Sequence, residues 1–125
     1  MIKQTLQLTA CALLVLTALP AFAVDDTAAC EGIEGSSRLE ACLHMEEVTT
    51  LDEAIATALV SIARMGTEAD KAHIDDSQRS FEQYRDKVCW VQQRVMGGLN
   101  SVSVARCMAV LTRQRLVYLK ESFML

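Results

Sequence analysis

Apolar residues recur at helical spacing in three separate stretches of this chain. Over residues 38–65, Val48, Leu51, Ile55, Ala58, Leu59 and Ile62 fall on one side at 100° per residue. Glu46, Thr50, Glu53, Thr57, Ser61 and Arg64 form an unbroken polar stripe on the other side, as expected of a helix with one buried face. Ala58 is the small member of the apolar stripe and admits a close partner helix. Over 68–96, Ile74, Phe81, Val88 and Val95 recur every seven residues with Tyr84 and Val91 beside them, a coiled-coil-like seam. A third pattern, from Asn100 or Ser101 to about Ser122, turns Val104, Cys107, Met108, Leu111, Tyr118 and Leu119 inward. No strand-like alternation is found, and the single proline, Pro20, precedes all three stretches. The pattern predicts an all-α fold, a small three-helix bundle.

Local signals punctuate the helices. Ser36 or Ser37 can cap the first, and with Ser37 at the cap Glu40 completes a capping box. Gly66 is the expected stop, Thr67 with Asp70 marks the second start, and Gly97-Gly98 the second stop. Residues 24–37 lack periodicity and contain Gly32 and Gly35, so they read as an irregular N-terminal arm tied down by Cys30.

Residues 1–23 have a different character. Lys3, an apolar run from Leu6 to Leu19 too short to span a bilayer, Pro20 and then Ala21-Phe22-Ala23 are the parts of a signal peptide cleaved after Ala23. Residues 24–125 then form one domain in a periplasmic or secreted protein. Leu8-Thr9-Ala10-Cys11 resembles a lipoprotein box, but most of the apolar core follows Cys11 rather than preceding it, which disfavours lipidation there.

Removing the leader leaves an even set of cysteines, Cys30, Cys42, Cys89 and Cys107, which in a short exported chain reads as a disulfide framework. Spacing favours Cys30–Cys42 and Cys89–Cys107, each linking neighbouring segments and contributing about 3 kcal/mol in the chain-entropy account. Zinc is the competing reading, disfavoured because no C-x-x-C pair occurs.

Charge is polarised along the sequence. Residues 24–83 hold 14 acidic and 4 basic side chains, whereas 84–125 hold 2 acidic and 7 basic. Either the two halves neutralise each other across helix contacts, or an acidic field favours a cationic partner over nucleic acid or an anionic membrane.

Candidate chemistry is sparse. His44 with Glu47 and His73 with Asp76 place carboxylates at i+3, but no third zinc ligand or H-E-x-x-H motif accompanies them. No nucleophile setting such as G-x-S-x-G is present, and the residues suggest neither an enzyme nor a cofactor. The five methionines outside the leader read as core filler rather than a copper relay. Arg115 falls inside the apolar stripe of the third helix and needs a partner there, such as a carboxylate of the first helix, a carbonyl or a ligand. Trp90 projects away from the seam among Asp76, Arg79, Gln83, Lys87 and Arg94. It is either an exposed binding anchor or a platform covered by the arm.

Gln78-Arg79-x-Phe81-x-x-Tyr84-Arg85-Asp86-x-x-Cys89, then Gly97-Gly98, then Cys107-x4-Thr112-x-x-Arg115-x3-Leu119, resembles the LprI-type lysozyme-inhibitor domain of small exported bacterial proteins. Phe81 stands where that family carries tryptophan, and the first helix offers Leu51-Asp52-Glu53 to Leu59 in place of a D-x-x-L-N-x-x-Y motif. The resemblance implies a disulfide-linked helical domain in which Gln78, Phe81, Tyr84, Arg85, Asp86, Thr112 and Arg115 form a structural hub. On the helical angles Phe81, Tyr84 and Val88 turn inward and Arg85 sits at the rim.

The leading functional expectation is therefore a non-enzymatic inhibitor of a basic lysozyme or related peptidoglycan hydrolase. Its candidate partner-binding residues are Glu46, Glu47, Asp52 and Glu53 on the first helix, with Trp90 as a second candidate. An envelope assembly module acting through Trp90, and an immunity protein against a cell-wall toxin, are the alternatives.

Overall fold

The computed structural model of the chain describes residues 30–95 and 101–125. The leader, Cys11, the proposed cleavage site, the start of the arm and Gly97-Gly98 lie outside the described residues. Three helices follow in order, α1 (Ser36–Met65), α2 (Glu68–Val95) and α3 (Ser101–Phe123), so the expected all-α class is what the chain adopts. Disulfides join Cys30 to Cys42 and Cys89 to Cys107, with Cα–Cα separations of 5.9 and 5.6 Å.

Side-chain pairings set the directions of the helices. Glu40 meets Arg106 and Glu47 meets Arg113. Both pairs advance together, so α1 and α3 run parallel. Asp52 meets Arg85, and Cys89 meets Cys107, so α2 runs against both. The main interface is between α1 and α3; α2 packs chiefly on α3 and barely touches α1. α3 is the element on which both others rest.

The α1 face is close to the expected one, with Ala41, Val48, Ile55, Ala58 and Ile62 buried and Leu51 and Leu59 partly so. The α3 face is rotated from the expected one. Val102, Ala105, Ala109, Thr112, Leu116 and Leu119 are buried, whereas Val104, Cys107, Met108 and Leu111 are half-buried and Tyr118 is exposed. Small residues explain the difference: Ala105 packs with Ala41 and Val102, so the α1 and α3 backbones approach closely on the less bulky stripe. The larger core, Ile55, Ala58, Ile62, Leu116 and Leu119, takes in Ile74 from α2.

α2 is less buried than its heptad pattern suggests. Ile74, Phe81 and Val88 are half-buried, and Val95 is 76% exposed. Arg85 and Cys89 are its buried residues.

The two capping signals fare differently. At α1 no side chain caps the helix; Gly35, at φ 95°, occupies the N-cap, and its carbonyl accepts from the Leu39 N–H at 3.0 Å. A positive φ suits glycine. Glu40 is engaged with Arg106 and lies 3.7 Å from His44, so its carboxylate does not reach back to close a box. At α2 the Thr67–Asp70 box forms: Asp70 Oδ2 accepts from the Thr67 N–H and hydroxyl, each at 2.7 Å, and Thr67 Oγ1 accepts from the Asp70 N–H at 3.3 Å. Gly66 leads into it in extended backbone. A Cβ there would stand 2.8 Å from the Asp70 Cβ, so the box requires glycine for space rather than for φ.

The hydrogen bond from the Thr67 backbone N–H, followed by that from its hydroxyl, holds the Asp70 carboxyl below its ordinary value of 3.8. A depressed folded-state pKa stabilises the fold above the unfolded value and ceases to do so as pH falls through the folded one. Asp70 is solvent-exposed, which keeps the effect small. NMR titration of Asp70 is expected to give a midpoint below 3.8, and Thr67→Ala to move it back upward. An unchanged midpoint in the variant would refute the hydroxyl's part in the shift, since alanine retains the backbone N–H contact.

Candidate functional site: the acidic helix face and the Trp90 end

Along α1, two of the four candidate acidic side chains, Glu47 and Asp52, already have partners within the chain. Asp52 accepts from Arg85 Nη1 with both oxygens, at 3.0 and 3.2 Å. Glu47 accepts from Arg113, and the first cause of its lowered pKa is that hydrogen bond. His44 lies between the two inter-helix ion pairs, 3.7 Å from Glu40 and 3.6 Å from Glu47. Two acids of the acidic first half are thus neutralised by arginines of the basic second half across the α1–α3 seam, and Asp52 by Arg85 of α2. Arg106 and Arg113 in this ladder are not singled out by the sequence, and Glu40 only as a capping residue. Their signal was present nonetheless: two acids seven residues apart in α1 face two arginines seven apart in α3.

Glu53 and Glu46 are different. Glu53 remains exposed on the outer face of α1. Glu46 is half-buried beside the arm, with its carboxylate within 4.8 Å of the Cys30 and Cys42 sulfurs and Oε1 buried without a hydrogen-bond partner. Those sulfurs are bonded to each other, so they are not thiolates offered to a metal.

The central motif folds inside out relative to its helical-angle reading. Arg85 is only 7% exposed, while Tyr84 is 56% exposed. Arg85 Nη1 donates to Asp52 on α1 and, at 3.0 Å, to Thr112 Oγ1 on α3; its Nε donates to Asp86 at 3.3 Å, and its guanidinium lies 5.8 Å from the Phe81 ring centroid. Thr112 is fully buried, and its hydroxyl donates to the Met108 carbonyl at 2.7 Å. One side chain therefore ties all three helices, and the reason for its inversion is charge: Asp52 and Thr112 converge where a guanidinium fork can satisfy both. Tyr84, one residue earlier, is displaced to the surface.

Arg115 lacks the carboxylate from α1 that the sequence suggests, because it faces Ser77 and Gln78 of α2. It donates instead to Gln78 Oε1 at 3.3 Å and Ser77 Oγ at 2.9 Å, and lies 5.5 Å from the Phe81 ring centroid. Gln78 in turn donates to Glu82 at 3.1 Å. His73 does not gain Asp76, whose carboxylate accepts from Arg79 at 2.9 Å.

Trp90 is 61% exposed. It edges a shallow depression with Met45, Cys42, Gln93 and Val104, where the C-terminal end of α2 lies against the start of α1. Trp90, Met45 and the Cys30–Cys42 bridge thus share one end of the bundle, with Glu46 next to the bridge. Glu53 is two turns further along α1, and Glu47 and Asp52 are held in the ion pairs described above.

The sequence model of the lysozyme inhibitor LprI family matches residues 28–119, a span that takes in both disulfides and every residue of the three-helix cluster. The chain belongs to the LprI lysozyme-inhibitor family. No curated protein and no solved structure matches it significantly. The family's name denotes binding rather than catalysis, and a lysozyme as the partner. Of the family-motif residues, Phe81, Asp86 and Thr112 contact Arg85, and Gln78 and Phe81 contact Arg115, whereas Tyr84 and Arg79 lie at the surface. Among the described residues, no helix is long and apolar enough to cross a membrane.

Proposed function

We propose that this chain is an exported, non-enzymatic inhibitor of a lysozyme or related peptidoglycan hydrolase, docking through the end of the bundle that carries Trp90. Membership of the family over residues 28–119 is the observation that supports inhibition. Exposure of Trp90 beside Met45 supports the choice of surface, since a large aromatic side chain open to solvent at the edge of a depression is a typical energetic anchor. The acidic helix face contributes less than its composition suggests, because Glu47 and Asp52 are already bound by arginines. The formal net charge of −4 nonetheless favours encounter with a basic enzyme.

Inhibition of a panel of lysozymes, measured with wild type, Trp90→Ala and Glu47→Gln at low and high salt, tests this. Trp90→Ala is expected to weaken inhibition at least about tenfold with little change in melting temperature. Glu47→Gln is expected to leave it nearly unchanged, and salt to slow association. No inhibition at micromolar concentration by wild type, or full inhibition by Trp90→Ala, would overturn the assignment.

A further inference from the structure

Arg115 differs from the other arginines that bridge the helices. Arg85, Arg106 and Arg113 each hold a carboxylate. Arg115 contacts the neutral Gln78, Ser77 and Phe81, and no carboxylate among the described residues lies within 4.0 Å of it. Burial lowers its pKa, an effect opposed by Tyr118, so this cation is partly desolvated without a counter-charge.

Arg115 also lines an open cleft of about 440 Å³, where the turn between α1 and α2 meets the C-terminal half of α3. The wall is apolar, formed by Leu59, Ile62, Met65, Ile74, Leu119 and Phe123. Asp70 is the acidic residue of the lining, and its Oδ2 is bound by Thr67 in the α2 cap. Measured along α2, Ile74 in this cleft and Trp90 are about 24 Å apart at the helical rise, so the cleft is separate from the proposed inhibitory surface.

We propose that the cleft binds a medium-chain carboxylate, with its alkyl chain along the apolar wall and its carboxylate on the Arg115 guanidinium. The wall calls for a hydrocarbon, and a volume of this size suits a small organic ligand. A guanidinium without a carboxylate calls for an anion. Arg115 is the one arginine or lysine of the lining, which also holds His73 and Asp70, so the site suits a monoanion better than a phosphate dianion.

Titration of the full chain with decanoate, decanol and decyltrimethylammonium, below micelle-forming concentrations, tests the proposal. The readouts are calorimetry and the methyl NMR signals of Ile62, Ile74 and Leu119. Decanoate is expected to shift these methyls and to bind at least about tenfold more tightly than decanol, the difference of a charge-assisted contact. Decyltrimethylammonium is expected to leave them unmoved. Arg115→Gln abolishes the preference for decanoate. Because that variant also removes packing on Phe81, Met65→Glu at an exposed position of the rim is the second probe. It is expected to weaken decanoate more than decanol in an intact fold. Equal affinity for decanoate and decanol, shifts confined to other residues, no shift at millimolar decanoate, or equal loss for both ligands in Met65→Glu would overturn it. None of these readouts involves lysozyme, so failure here and failure of the inhibitor assignment are distinguishable.

Discussion

Asp52→Asn is expected to destabilise the fold by about 3 kcal/mol, far more than any other neutralisation on the acidic face of α1. The Arg85 guanidinium is almost wholly buried and depends on Asp52 for its one ion pair from another helix. Without that carboxylate, Asp86 and the Thr112 hydroxyl are left to compensate the charge, and Asp86 is itself exposed. Glu47→Gln is expected to cost less than about 1 kcal/mol, because its pair with Arg113 lies in solvent. Thermal melts of the two variants separate these cases: for a domain of this size the Asp52 variant should melt roughly 10 °C or more below wild type. Comparable losses in both variants would show that Arg85 is not the strut it is taken to be. The asymmetry also bears on function, since an Asp52 variant that loses inhibition has lost it through the fold.

The second large effect is expected from the Cys89–Cys107 bridge. Its double replacement by alanine should cost about 3 kcal/mol, with the loss concentrated in α2. That helix buries Arg85 and Cys89, presents Val91 and Val95 to solvent, and has little contact with α1. Its C-terminal half is therefore held to α3 by the bridge more than by apolar packing. Amide hydrogen exchange should accelerate over residues 86–95 in the variant, while the protected centres of α1 and α3 change little. A uniform acceleration across all three helices would mean that α2 is an integral part of one cooperative core. If Trp90 is the inhibitory anchor, the same variant should inhibit less well, because Trp90 adjoins Cys89.

Helix number, approximate helix limits and the disulfide framework were all legible in the sequence, because each depends on local chemistry. Periodicity at 100° per residue marks one buried face on each helix whatever lies opposite it. The Thr67–Asp70 box acts over three residues, and cysteines close in sequence face few alternative partners. The Ser37–Glu40 box was equally legible and does not form, because Arg106, distant in the chain, takes the Glu40 carboxylate. Other errors share that origin. Hydrophobicity along α2 alone ranks tyrosine above arginine and so puts Tyr84 inside and Arg85 at the rim; Asp52 and Thr112 reverse that order from two other helices. On α3 the bulkier stripe is the core that hydrophobicity alone predicts, yet α1 packs on the alanine stripe because close backbone approach gains more contact there.

The family motif was legible as a pattern of residues, but not as a location. Only the packed bundle shows that Arg85 and Thr112 meet Asp52, that Arg115 is left facing an apolar cleft, and that Trp90 stays in solvent beside Met45. The sequence by itself determined the helices, the buried face of α1 and the covalent staples, all set by interactions between near neighbours in the chain. The tertiary structure decided which charges are spent within the fold and which surfaces remain for a partner. Burial and pairing of a charge depend on groups brought together from distant segments, and no local pattern encodes how those groups divide their partners.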